Sequence, residues 1–159
     1  MSSLYKEAEQ ALGRGDATAA RQRLAAVVHT FPRDAMADSA RYELALLAHK
    51  DGDRREALAL LREILGRGTG GAFVEPARFL RCRVYLDEDR DAAETCLVRF
   101  IRDYPRSPHG DVALQALVEL SRARGQCGKA QQHAEVYLER YPHGRFAAEA
   151  ARVRSRCGP

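Results

Sequence analysis

Tryptophan and asparagine are absent from this 159-residue chain, and lysine occurs only at positions 6, 50 and 129. No apolar run approaches the roughly 20 residues a helix needs to cross a bilayer, so direct membrane insertion is not expected. The opening MSSLYKEAEQ lacks a basic stretch followed by an apolar core, which argues against a leader peptide and, taken literally, expects a cytoplasmic start. It also begins directly in a helical pattern, as an excised domain would. Neither sign of charge dominates. Residues 1–80 carry 12 basic and 11 acidic side chains, and residues 81–159 carry 14 and 11. The basic residues are interleaved with acids, which describes a mixed solvated surface and not a nucleic-acid stripe. No segment alternates polarity with the period of a strand.

What is present is a repeat. An aromatic-proline pair followed by a polar turn occurs as FPRDAMADSA from Phe31, DYPRSPHGDVA from Asp103 and YPHGRFAAEA from Tyr141. The alanine nine places after each aromatic gives Ala40, Ala113 and Ala150, and Ala77 fills the gap with steps of 37 and 36. A second series, Ala20, Ala57, Ala93 and Ala130, has steps of 37, 36 and 37. Two series with one period mark a repeated structural unit.

Each unit reads as a helical hairpin. Ala40, Leu44, Leu47 and Ala48 share one helix face, Gly52 stops that helix, and Asp53 can cap the next. The paired helices are expected near 3–14 and 16–31, 75–87 and 90–103, and 109–124 and 128–140, with the second unit between. A ninth helix, about 145–157, closes the chain. Proline after each aromatic ends the second helix because it has no N–H to donate. Alanine recurs where the next helix must approach its neighbours closely.

Several apparent motifs dissolve in this frame. GRGTGG, Gly66 to Gly71, matches a dinucleotide fingerprint, but that chemistry needs a preceding strand and here a helix precedes. It reads as a flexible junction. Arg14-Gly15-Asp16 is a hairpin turn, as DGD is in the next unit. His29, His49, His109, His133 and His143 form no pair at the i, i+4 spacing of a helical metal site. Local spacing assembles no nucleophile with a base. No enzyme activity, metal or cofactor is expected.

The pattern resembles the tetratricopeptide repeat: a small residue in the first helix (Ala8, Ala45), an alanine in the second, and a proline twelve later (Pro32, Pro105, Pro142). The unit is longer than the usual length of about 34 residues. It is most similar to the repeat segments of bacterial envelope proteins, including the outer-membrane-assembly lipoprotein D family and the C-terminal domain of the Tol–Pal coordinator. The resemblance implies an all-α, right-handed αα-hairpin solenoid of four units, about 3–39, 40–76, 77–112 and 113–149, with a capping helix at 145–157. It treats 1–159 as one domain. Departures are the missing tryptophan of the first helix, Gly68-Thr69 in place of an aromatic-proline pair, and no lipoprotein cysteine near the start. The carboxylate clamp of chaperone-binding repeats relies on asparagines and is not expected.

Such repeats bind proteins on the face built by the first helix of each unit. Projecting the period gives Tyr5, Glu9 and Leu12; Tyr42, Leu46 and His49; Phe79, Arg83 and Leu86; and Gln115, Glu119 and Arg122. Aromatic anchors with a charged rim suit an extended peptide or a partner helix. Cys82 and Cys96 lie seven residues to either side of Asp89, level on antiparallel helices, and Cys127 faces the end of the chain that holds Cys157. Of three connectivities, hairpin symmetry together with an envelope setting favours 82–96 and 127–157; reduced, buried thiols of a cytosolic protein are the alternative. The expected function is a non-catalytic interaction scaffold of the cell envelope or periplasm with a protein or peptide partner, or else a cytoplasmic adaptor of the same fold.

Overall fold

Aspartates and glycines set the helix boundaries. Asp16, Asp34, Asp53 and Asp89 each stand before a helix, and their carboxylates accept from Ala19 N (3.0 Å), Met36 N (2.8 Å), Glu56 N (2.9 Å) and Ala92 N (3.0 Å). These bonds satisfy backbone donors that a helix start leaves open. The computed structural model describes residues 3–67 and 71–156. Among them are nine helices and no strand: α1 (Ser3–Gly13), α2 (Ala17–Thr30), α3 (Ala35–Lys50), α4 (Arg54–Leu65), α5 (Val74–Leu86), α6 (Arg90–Asp103), α7 (Gly110–Ala123), α8 (Cys127–Arg140) and α9 (Ala147–Ser155). The Gly66–Gly71 junction falls partly on 68–70, outside the described residues.

Three hairpin turns are built alike and one is not. Gly15, Gly52 and Gly125 take φ of 73°, 78° and 67°, a region costly for any residue with a Cβ. That left-handed step lets the next residue reach a carbonyl five places back: Asp16 N to Ala11 O (2.9 Å), Asp53 N to Ala48 O (2.8 Å) and Gln126 N to Ser121 O (2.9 Å). The third hairpin has Glu88 in the glycine's place. There Asp89 N bonds Tyr85 O at 2.8 Å, only four places back. With a Cβ at that position the left-handed step is not taken, since among the described residues only glycines have positive φ.

The chain divides into two compact units, Met1–Val84 and Tyr85–Pro159. In the first, α1 packs on α2, α2 on α3, and α3 on α4. Ala8, Leu24, Val27, Ala40 and Leu44 form one buried cluster. Ala45, Ala48, Ala57, Leu61, Ile64, Ala77, Leu80 and Val84 form another. In the second unit α6 packs on α7, α7 on α8, and α8 on α9. All eight alanines of the two periodic series are inaccessible to solvent. Each is small because a neighbouring helix passes over it.

The second helices carry a graded position: Val27, Ile64, Phe100 and Tyr137 occupy equivalent places and all are buried. The largest of them organises the last junction. The Tyr137 ring packs against Tyr141 at 5.5 Å and Phe146 at 6.3 Å between centroids. Its hydroxyl accepts from Phe146 N at 3.2 Å. This bond holds the chain in a turn up to Phe146, so α9 begins at Ala147 and not near 145 as the sequence pattern expects. Gly144 is required beside it, because a Cβ there would overlap the Tyr137 hydroxyl.

Candidate functional site

The first helices of the first unit bring their expected surface residues together. Tyr5 and Leu12 on α1 are half-buried and Glu9 is exposed; Tyr42, Leu46 and His49 on α3 are half-buried. The Tyr5 hydroxyl shares a hydrogen bond with Ser39 Oγ, tying α1 to α3 at one end of this face. The Tyr42 ring leans on Phe73, 5.7 Å between centroids at 41°. Tyr42 and Leu46 rest on the core beneath. Each presents one edge to solvent and one to the interior, the amphipathic state of an aromatic or aliphatic anchor.

Electrostatics link the same face. Burial pushes the Tyr42 phenol above its ordinary range, the Glu43 carboxylate adds to that, and the Arg83 guanidinium pulls against it. Burial likewise raises the Glu43 carboxyl, and Glu9 raises it further. Tyr42 thus feels Glu43 and Arg83, and Glu43 feels Glu9, so that groups from three different helices are linked in sequence. Arg83 is exposed on α5 and Leu86 is half-buried at the end of that helix.

Two expected surface residues are placed otherwise. Phe79 is 6% exposed and Gln115 is 4% exposed, so both lie inside their units. The period places them correctly along the helix, but a position that is open at Tyr5 and Tyr42 is closed at α5 and α7. On α7 the Gln115 amide donates to Glu119 Oε1 at 3.1 Å. Arg122 pairs with Glu149 of α9 at 3.4 Å. Both charged residues of that stretch are thus engaged within the second unit.

Sequence pattern missed two residues. Glu43 sits one place beyond the projected series. Arg41 is 5% exposed, pairs with Glu63 at 2.7 Å and Asp38 at 3.2 Å, and donates to the Pro32 carbonyl at 3.3 Å. Arg67 reaches the same Asp38 at 3.3 Å and the same carbonyl. The signal was available: the buried stripe of α3 runs 37, 40, 41, 44, 45, 48, and Arg41 stands within it. A charge in an apolar stripe implies partners from the adjacent elements.

Cys82, Cys96 and Cys127 are disulfide-bonded, and no described cysteine is free. Cys157 lies outside the described residues. Among the described residues no group of histidines, cysteines and carboxylates is placed to hold a metal, and no helix is long and apolar enough to cross a membrane.

The family model YfiO, described as outer membrane lipoprotein, matches residues 1–155. A thermophilic tetratricopeptide-repeat protein of Thermus thermophilus is similar in structure, with a TM-score of 0.62 at 22% identity over 96% of this chain and 80% of that one. A tetratricopeptide-repeat protein from Parabacteroides merdae matches with a TM-score of 0.41 at 14% identity, over 96% of this chain and 75% of that one. A comparison with curated proteins finds no match. The first likeness establishes the tetratricopeptide-type helical-repeat fold.

Proposed function

Because the chain belongs to the YfiO family of outer membrane lipoproteins, we propose that it is a non-catalytic protein-interaction scaffold of the bacterial cell envelope. It takes a peptide or a helix of its partner on the first-helix face of the first unit. One observation carries the choice of face: Tyr5, Leu12, Tyr42 and Leu46 are half-buried together on α1 and α3, with Glu9, Glu43 and Arg83 around them. Half-buried aromatic anchors within a charged rim match the anatomy of interface centres. The disulfide-bonded state of Cys82, Cys96 and Cys127 supports an oxidising compartment over the cytoplasm.

A photo-crosslinking residue at position 42, compared with one at the exposed Arg55 of α4, tests the face in envelopes of the native cell. A specific adduct from 42 and none from 55 is expected, and Tyr42→Ala should weaken the isolated complex at least about tenfold, the loss of one anchor. Equal labelling from both positions would remove the assignment.

A further inference from the structure

The two alanine series relate the first unit to the second by a shift of 73 residues: Ala20 to Ala93, Ala57 to Ala130. Under that shift Arg21 becomes Glu94, Asp51 becomes Arg124 and Glu56 becomes Lys129. All three positions are charged in both units, and all three signs are reversed.

The geometry is the same in both. Arg21 on α2 reaches Asp51, the residue that ends α3, at 2.6 Å, and Glu56 on α4 at 3.3 Å. Glu94 on α6 receives Arg124, the residue that ends α7, at 2.8 Å, and Lys129 on α8 at 2.9 Å. Asp91 supports Arg124 from the same side at 2.6 Å. Each triad joins the second helix of one hairpin to both helices of the next. At the intervening step of the repeat the corresponding residues are Leu58, Asp87 and Ala92, so the central charge is missing there.

We infer that this reversal is a recognition code between hairpins, directed against a second copy of the same chain. The shift of 73 preserves the four periodic alanines of the first unit, Ala20, Ala40, Ala57 and Ala77, and relates the glycine turns at Gly52 and Gly125, while Val27 becomes Phe100 and Ala45 becomes Val118. The shared turns and alanine contacts therefore do little to stop α2 of one copy from approaching α7 and α8 of another, or α6 from approaching α3 and α4, and the change of buried side-chain size opposes it only in part. Charge adds a second discrimination. The first exchange faces Arg21 with Arg124 and Lys129; the second faces Glu94 with Asp51 and Glu56. Both native pairings attract and both exchanged pairings repel. Single ion pairs at a partly exposed surface add little stability, but like charges brought together count against the wrong partner, so the discrimination exceeds the stabilisation. Chains built from similar repeats are open to such exchange when copies fold near one another.

The test uses the full, disulfide-intact chain, unfolded in urea and diluted at high protein concentration, with monomer and dimer read by light scattering after size exclusion. Arg21→Glu alone places three carboxylates together and should lower the urea midpoint. Arg21→Glu with Asp51→Arg and Glu56→Lys gives the first unit the signs of the second. This triple variant should recover the native midpoint yet refold with at least about a threefold larger dimer fraction, because both interfaces now carry one code. The native chain refolded in about 1 M salt should move the same way, since screening shortens the reach of these charges to about 3 Å. A triple variant that fails to recover the midpoint would overturn the pairing. One that recovers it with an unchanged dimer fraction, or a native chain indifferent to salt, would overturn the code.

Discussion

Gly110 opens α7 and is buried although it carries no side chain. A Cβ built there would overlap the Tyr141 hydroxyl and stand 3.3 Å from Tyr141 Cζ. Two opposing effects follow from Gly110→Ala. Alanine gains up to about 1 kcal/mol over glycine in a helix interior, and less at its first turn. Overpacking a closed site costs about 1–3 kcal/mol. The Tyr141 ring is held from behind by Tyr137 at 5.5 Å, so it cannot swing away freely, and the clash should win. We expect a net loss of about 1–2 kcal/mol. Tyr141→Phe removes the overlapping oxygen and leaves only the tight ring carbon, for which a shift of a few tenths of an ångström suffices. In that background Gly110→Ala should be nearly neutral, giving a coupling of about 1–2 kcal/mol between the two sites. Urea unfolding measures this as a change of midpoint at constant slope, and each kcal/mol corresponds to about 2–4 °C in Tm for a chain of this size. An equal cost of Gly110→Ala in both backgrounds would show that the tyrosine hydroxyl is not the reason for the glycine.

Four other outcomes are expected. Glu43→Gln should stabilise the first unit near neutral pH, because a carboxyl whose folded pKa is raised above its unfolded value is penalised when ionised; titrating stability downward should show the gain vanish below about pH 4.3, the ordinary glutamate value. Arg41→Ala should cost about 1–3 kcal/mol through unpaired partners and lost packing, with Arg41→Met milder, as read by urea midpoints. Gly52→Ala should cost about 1–2 kcal/mol from backbone conformation alone, since no atom lies within 4 Å of the added Cβ; Gly52→Asn should cost less in the same assay. Hairpin symmetry proposes that Cys82 pairs with Cys96, a bridge worth about 3 kcal/mol for a loop of about 15 residues; non-reducing peptide mapping should recover the two together, and recovery in any other pairing would refute it.

The hairpins were legible because each depends on residues close in the chain. Gly15, Gly52 and Gly125 with the following aspartate or glutamine announce three turns, and the buried alanines announce the close approaches. The third turn shows the limit of that reading. Glu88 stands at the glycine position, the period is unbroken, and yet the bond from Asp89 goes four places back and not five. Pattern gives the place of a turn, while the residue at its centre decides its form. The first-helix face was legible where it is open, at Tyr5 and Tyr42, and misread at Phe79 and Gln115, where the same register position is closed. A period cannot distinguish these cases, because burial at that position depends on what the next element places over it.

Most interactions that sequence pattern did not expose share one property: they join residues of different helices. Arg41 reaches back to the Pro32 carbonyl and forward to Glu63, and the two charged triads each span three helices. Pro32 aside, nine residues before Arg41, their partners lie 22 to 35 residues apart, a separation that corresponds to no helical face. A repeat pattern specifies the hairpin strongly and its neighbour weakly, because the periodic alanines are the same in every copy. Alanine at position 20 is as good a neighbour as alanine at position 93. Selection of the right neighbour must therefore fall to positions where the copies differ. In this chain such positions include three that are charged, paired and opposite in sign, and buried ones that change in size, Val27 against Phe100 and Ala45 against Val118, whereas the periodic alanines do not differ. On the proposed code, the periodic alanines supply an adhesion common to all hairpins, and the charged positions beside them add to what tells one hairpin from another.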